Sequence, residues 1–316
     1  MLAIPSKGFR RSITAHNIDL SVCCDWIEAS VLFLQEELTG ADVVDALREN
    51  EFYESQDFAW EFVTDSFSHI RDRARLFGRG YPLQFQGRHR LKPSGTVTEY
   101  GAYGFCLALS IPNSYPKWAR SFGQDFNLQG ELFEKLTAES VAASLTGWKV
   151  HPTGWTRTTP NKLKDVVHSV ANLLGEGIGE ISRWTRQSAN EAGLDLLCFL
   201  PFPDGRVGVP VYLVQCASGT NWEEKLRTPD LRVWRKLVTF ASDPKKAFSM
   251  PYALMEQEFT RHTNVVDGLL LDRHRLLAPG RTDQNWLTRQ LNTDLSTWTG
   301  GRIGSLPLLE PKVTAA

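Results

Sequence analysis

Residues 193–226 read GLDLLCFLPFPDGRVGVPVYLVQCASGTNWEEKL. Two short apolar runs rich in β-formers, 194–200 and 209–217, flank Pro203-Asp204-Gly205-Arg206. Pro, Asp and Gly in that order suit a tight reversal, so the stretch predicts a β-hairpin. Folding about Gly205 makes paired positions sum to about 410, the register that a turn centred there imposes, and sets Asp195 opposite Gln215. Directly paired residues share a sheet face. Two polar side chains therefore stand together near the open end of an apolar hairpin.

The next segment adds a third group. Ser218-Gly219-Thr220 breaks the strand, and Asn221 is followed three positions later by Glu224, the spacing of a capping box. This predicts a helix with Lys225 in its first turn, where the helix dipole favours anions. A carboxylate, an amide oxygen and an ammonium then converge, an arrangement suited to a divalent metal and a phosphate.

The stretch resembles the core of the PD-(D/E)XK, or restriction-endonuclease-like, nucleases. That family carries an acid on one strand and acid-x-Lys on the next, with Gln for the second acid in Mrr-like branches. Asp195 matches the first position and Gln215 the second. Ala217 stands where the lysine belongs. Some branches move the lysine to the following helix, where Lys225 is the matching residue. The family also has a Glu on an upstream helix, matched by Glu134 in GELFEKL (130–136). The resemblance covers about residues 126–275 and implies a mixed-sheet α/β nuclease domain that hydrolyses DNA phosphodiester bonds with Mg²⁺ or Mn²⁺. Asp195, Gln215, the Cys216 carbonyl and Glu134 are the implied metal set. Lys225 is the implied electrostatic group. The implied setting is prokaryotic defence against phage or plasmid, with double-stranded DNA as substrate and a separately encoded ATPase or sensor as partner. The alternative is a nuclease-fold protein that lost its chemistry and acts as a nucleic-acid-binding or scaffold subunit, because Gln215 and Ala217 both weaken the motif.

Composition sets the frame. The chain of 316 residues has room for two domains, with a 42% hydrophobic and 22% charged content normal for globular proteins. A net charge of −1 means that any nucleic-acid contact uses a local basic patch. Five cysteines without paired spacing argue against a disulfide framework and for a reducing cytoplasm. No apolar run reaches the roughly 20 residues of a membrane span. The chain opens without a signal-peptide core. Self-association is left open.

Along the chain, the pattern predicts a helical N-terminal domain over 1–125 and the α/β domain over 126–316. Residues 1–17 read as a polar arm. Helices are expected over 19–38, 40–52 and 56–77, the last with Arg71, Arg73 and Arg75 at its tail. Residues 78–96 read as irregular, with a basic run at 88–92, and 100–111 as helix or strand. Helices follow at 131–145 and from 163, ended by Gly175, Gly177 and Gly179, with a strand at 148–155. Strands are expected at 234–240 and 265–271, and the segment 300–316 reads as loose. The basic segments at 71–79 and 88–92 read equally as solvated surface or as phosphate contacts. Gln215-Cys216-Ala217-Ser218-Gly219, with His168 48 residues before Cys216, invites a cysteine-protease reading, although Gln and Cys are out of register for it.

Overall fold

The hairpin forms in the register its turn dictates. Leu196 pairs with Val214, Leu197 with Leu213, Cys198 with Tyr212 and Phe199 with Val211, antiparallel, so each pair of positions sums to 410. Gly205 adopts φ +63°, where a side chain would be strained, and its N–H closes the turn onto the Phe202 carbonyl at 3.2 Å. The structure, a computed structural model, describes residues 1–10, 18–121, 125–153, 162–184 and 192–310.

In chain order the elements are α1 (Leu20–Leu34), β1 (Leu38–Thr39), α2 (Gly40–Glu49), α3 (Gln56–Phe77), β2 (Leu83–Phe85), β3 (Arg90–Pro93), α4 (Gly101–Ser110), α5 (Pro116–Ser121) and α6 (Phe126–Ser144). Then come β4 (Lys149–Pro152), α7 (Leu163–Leu174), β5 (Gly177–Ile178), α8 (Ile181–Trp184), β6 (Leu196–Phe199), β7 (Val211–Cys216), α9 (Leu231–Leu237) and β8 (Val238–Thr239). The last are β9 (Lys245–Ser249), α10 (Glu256–Val266), β10 (Gly268–Leu271), α11 (Arg273–Leu276) and α12 (Arg289–Ile303). The chain is mixed α/β and divides into two units, Met1–Gln124 with Leu277–Ala316, and Asp125–Leu276.

The first unit is mainly helical. Asp19 caps α1 by accepting the Ser21 and Val22 N–H groups, and Ser55 caps α3. The helix α1 is buried from Cys23 to Leu32, including Asp25 and Glu28. Those two acids receive Arg73 of α3, whose Nη1 lies 2.7 Å from Asp25 Oδ1 and 2.7 Å from Glu28 Oε2. Tyr81 donates to the other Glu28 oxygen at 2.8 Å. Buried charge of this kind is tolerable only when paired.

In the second unit a five-stranded sheet runs in the order β10-β9-β7-β6-β4. Strands β4, β6 and β7 are antiparallel neighbours, and β9 and β10 run parallel to β7. Helix α6 covers one face, with Val141 among Leu196, Cys198, Val214 and Ala247. Helices α7 and α9 cover the other, with Val167, Val170 and Trp234 among Leu197, Phe199 and Leu213. Cover on both faces explains why β6 and β7 read as near-continuous apolar runs.

Several expectations are corrected. Residues 101–110 are helical, and 90–93 lie in a three-stranded antiparallel sheet ordered β1-β3-β2. Of the strand expected at 234–240 only 238–239 are strand, and 234–237 belong to α9, because Asp230 caps it and Leu231, Trp234 and Leu237 recur at helical spacing. Of 265–271 only 268–271 are strand, since α10 runs to Val266 and Asp267 turns out in the left-handed region. The end of the arm is anchored: Leu2 is fully buried and bridges Leu308, and Phe9 is buried. Residues 11–17 and 311–316 lie outside the described residues, as do 154–155 of the expected strand. The expected second domain also closes earlier, at Leu276, because α12 packs against α4. Among the described residues no helix is long and apolar enough to cross a membrane.

Replacing Arg73 by Met should destabilise the first unit by about 3–5 kcal/mol, since Asp25 and Glu28 then lose their buried cation. Urea unfolding followed by tryptophan fluorescence measures this. A midpoint unchanged from wild type would contradict the pairing.

Candidate functional site

Asp195 immediately precedes β6 and is locked by its backbone. Its N–H donates to the Val214 carbonyl at 2.9 Å, and its own carbonyl accepts the Thr153 N–H at 2.9 Å. The side chain lies at the ends of β6 and β7, only 6% exposed, as is Gln215. Asp195 Oδ2 accepts the Cys216 backbone N–H at 2.6 Å and also an N–H of the Gln215 amide. Gln215 Nε2 lies 3.2 Å from the Cys216 carbonyl, and Gln215 Oε1 accepts the Thr228 hydroxyl at 3.1 Å. The predicted meeting of Asp195 and Gln215 is therefore present, and the Cys216 carbonyl joins it.

Gly193 makes the close approach possible. It sits at φ +66°, and a Cβ there would lie 2.8 Å from Thr228 Cβ and 3.1 Å from Gln215 Oε1. A side chain at this position would push the Thr228 loop off the amide.

Asp195 Oδ2 and the Cys216 carbonyl are both acceptors, and both face the point held by Gln215 Nε2. The amide donor satisfies them in this state. A half-turn of the amide would bring Oε1 there instead, and three oxygens facing one another are stabilised by a cation between them. The donor set is then one carboxylate and two neutral oxygens, hard ligands that fit Mg²⁺ or Mn²⁺ and not a thiophilic metal. Among the described residues no group of three or more His, Cys, Asp and Glu side chains is placed to hold a metal, so the fit rests on the amide and carbonyl oxygens.

Glu134 stands half-buried on α6. The helix is tied to the same strand ends. Gln129 Nε2 donates to the Ser218 carbonyl at 3.3 Å and Oγ at 3.2 Å, and Thr137 Oγ1 shares a 2.9 Å hydrogen bond with Ser249 Oγ. Burial pushes the Cys216 thiol well above its ordinary range. The negative charges of Asp195 and then Glu134 push it the same way, against a hydrogen bond from Thr137. Both carboxylates are thus felt at the Cys216 thiol, on the sheet face that α6 covers.

Lys225 lies in a short turn and not in the first turn of a helix. Residues Trp222–Lys225 form a single 3-10 turn in which Asn221 makes no capping bond. The expected capped helix is absent because Thr228-Pro229-Asp230 leaves room for one turn only. The Lys225 side chain is exposed and makes no ion pair among the described residues, while its carbonyl accepts the Thr228 hydroxyl at 2.7 Å. Ala217 is buried among Trp222, Leu226 and Phe248, and its N–H donates to the Ser249 carbonyl.

The protease reading fails on geometry. Cys216 packs on the α6 face of the sheet, whereas α7, which carries His168, covers the opposite face. A thiol pushed upward is also the reverse of an activated nucleophile. Gly193, Thr137, Thr228 and Ser249 were not singled out from sequence. Only Gly193 carried a signal, as a glycine just ahead of a strand.

No protein-family model matches the chain, no curated protein matches it, and no solved structure matches it. The Asp195 constellation stands on its own geometry.

Cys216 should resist a disulfide exchange reagent at pH 8 in the native protein and react readily after unfolding in urea. Counting reacted thiols by absorbance, in wild type and Cys216→Ala, checks this. Rapid native labelling lost in the variant would contradict the half-buried, electronegative setting.

Proposed function

We propose that the second unit is a metal-dependent phosphodiesterase of the PD-(D/E)XK type, with Gln in place of the second acid, acting on DNA. The observation that carries the reading is the convergence of Asp195 Oδ2, the Gln215 amide and the Cys216 carbonyl at the ends of adjacent central strands. Support also comes from Glu134 on the helix packed across those ends, and from the mixed sheet with helices on both faces. A bound Mg²⁺ or Mn²⁺ would acidify a water and neutralise charge on the scissile phosphate. Asp195 supplies the anionic ligand, held in place by the Cys216 N–H. Gln215 supplies a neutral oxygen, and Thr228 fixes which way its amide turns. Glu134 holds a water or a second cation on the α6 side. No role is assigned to Lys225. The setting in prokaryotic defence, with a partner ATPase or sensor, follows the sequence resemblance alone.

A second reading is a nuclease-fold binding or scaffold subunit without chemistry. The hydrogen-bonded closure of Gln215 by Asp195, Cys216 and Thr228 favours it, as does the buried Ala217 at the lysine position.

Nicking of supercoiled plasmid with Mg²⁺ or Mn²⁺ separates the two. The nuclease reading expects wild-type cleavage that falls by at least about 100-fold in Asp195→Ala, the rate equivalent of a few kcal/mol. Lys225→Ala should cleave like wild type. Metal-independent cleavage, or cleavage retained in Asp195→Ala, would refute it. Inertness of the wild type with both metals would favour the scaffold.

A further inference from the structure

The two basic segments of the first unit come together. Arg71 of α3 donates from Nη2 to the Arg88 carbonyl at 2.7 Å and to the Gly87 carbonyl at 3.4 Å, and its guanidinium lies 4.2 Å over the Phe85 ring. This ties the tip of the β2–β3 hairpin to the helix. His89 is wedged between the Trp60 and Phe67 rings at 5.8 and 5.7 Å, which fixes the tip from the inside. Arg75 lies one turn beyond Arg71 on the same helix stripe, 76% exposed, beside Asp72. Arg88 is exposed, and Arg90, 53% exposed, pairs with Glu37 at 3.1 Å. Exposed pairs such as these exchange easily for other anions.

The charge is felt locally. Burial holds the His89 imidazole below its usual range, and Arg71 and Arg88 push it the same way. Two guanidiniums therefore act on one ring.

We propose that the β2–β3 tip and the Arg71–Arg75 stripe of α3 form a docking surface for the phosphate backbone of double-stranded nucleic acid. The exposed residues of the tip, Gln86, Gly87, Arg88 and Arg90, are polar or cationic. A protein partner would require an apolar centre to the patch. Single strands are held by stacking bases on open aromatic faces. Here Phe85 is covered by Arg71, and Trp60 and His89 are half-buried against each other. What remains is a set of exposed guanidiniums on a tip that Arg71 ties to α3, and guanidinium is the group that pairs best with phosphate oxygens. Binding would be independent of sequence and steeply dependent on salt.

The proposal concerns binding alone and does not rest on the Asp195 reading. The test is fluorescence anisotropy of the full-length protein in EDTA with a labelled duplex, the matching single strand, and polyglutamate as competitor. Wild type should prefer the duplex. Arg75→Glu/Arg88→Glu should bind it about 10- to 100-fold more weakly, with the logarithmic salt slope reduced by about 2, one for each lost phosphate contact. An unchanged thermal unfolding curve shows that the double variant is folded. Binding is read in EDTA and cleavage with added metal, so loss of cleavage and loss of binding are read separately. Equal binding by wild type and the double variant would overturn the proposal. So would absence of duplex binding by wild type, equal affinity for the single strand, or displacement of duplex by polyglutamate, which would mark the surface as one for acidic protein.

Discussion

One carboxylate oxygen organises the end of the central sheet. Asp195 Oδ2 takes both the backbone N–H of Cys216 and the side-chain N–H of Gln215. A buried carboxylate without donors is costly, and so is a buried amide without acceptors. Each cancels much of the other's cost, provided that β6 and β7 keep their register. A slip of either strand by one residue would turn that strand's side chain to the opposite face and part the pair. The turn at Gly205, the positive φ of Gly193 and the Thr228 contact all serve that alignment. Helix α6 holds the other side through Thr137 and Gln129.

The same pairing sets the chemistry available. One acid and two neutral oxygens give a weaker cation site than two acids, because each lost charge reduces the attraction to Mg²⁺. Under the proposed metal reading the Gln215 amide would have two positions. With nitrogen inward it closes the site as a hydrogen-bonded core. With oxygen inward it needs a cation. Thr228 biases this choice, since its hydroxyl also bonds the Lys225 carbonyl and donates to one oxygen at a time. The Thr228 hydroxyl thus links the Gln215 amide to the Lys225 carbonyl.

Much of this was legible in the sequence, and the failures have physical causes. The hairpin and its register followed from an Asp-Gly turn between two apolar runs, and α6 and α7 followed from their apolar stripes. The helix expected at Asn221 failed because a cap needs extended backbone and a helix long enough to use it, and Pro229 comes too soon. Residues 234–237 read as strand because Val238 and Phe240 beside them are β-formers, but Asp230 caps a helix that ends at Leu237 and only 238–239 are strand. Strand β9 was overlooked because it begins with two lysines, yet Lys246 is 7% exposed: its place between β7 and β10 overrides its polarity. The return of the segment from Leu277 to the first unit depends on which surface α12 finds, and no local pattern encodes that. The meeting of Asp195 and Gln215 was legible because strand pairing is local. The position of Lys225 was not, because a loop carries it.

The central claim is that Asp195 and Gln215 form a cation site, and Mn²⁺ binding to the whole protein tests it most directly. Isothermal titration should show one site in wild type, lost in Asp195→Ala and weakened in Gln215→Leu, with all three proteins equally folded by circular dichroism. Failure of wild type to bind Mn²⁺, or binding that survives Asp195→Ala, would contradict the account and leave the pair as a structural hydrogen-bonded core.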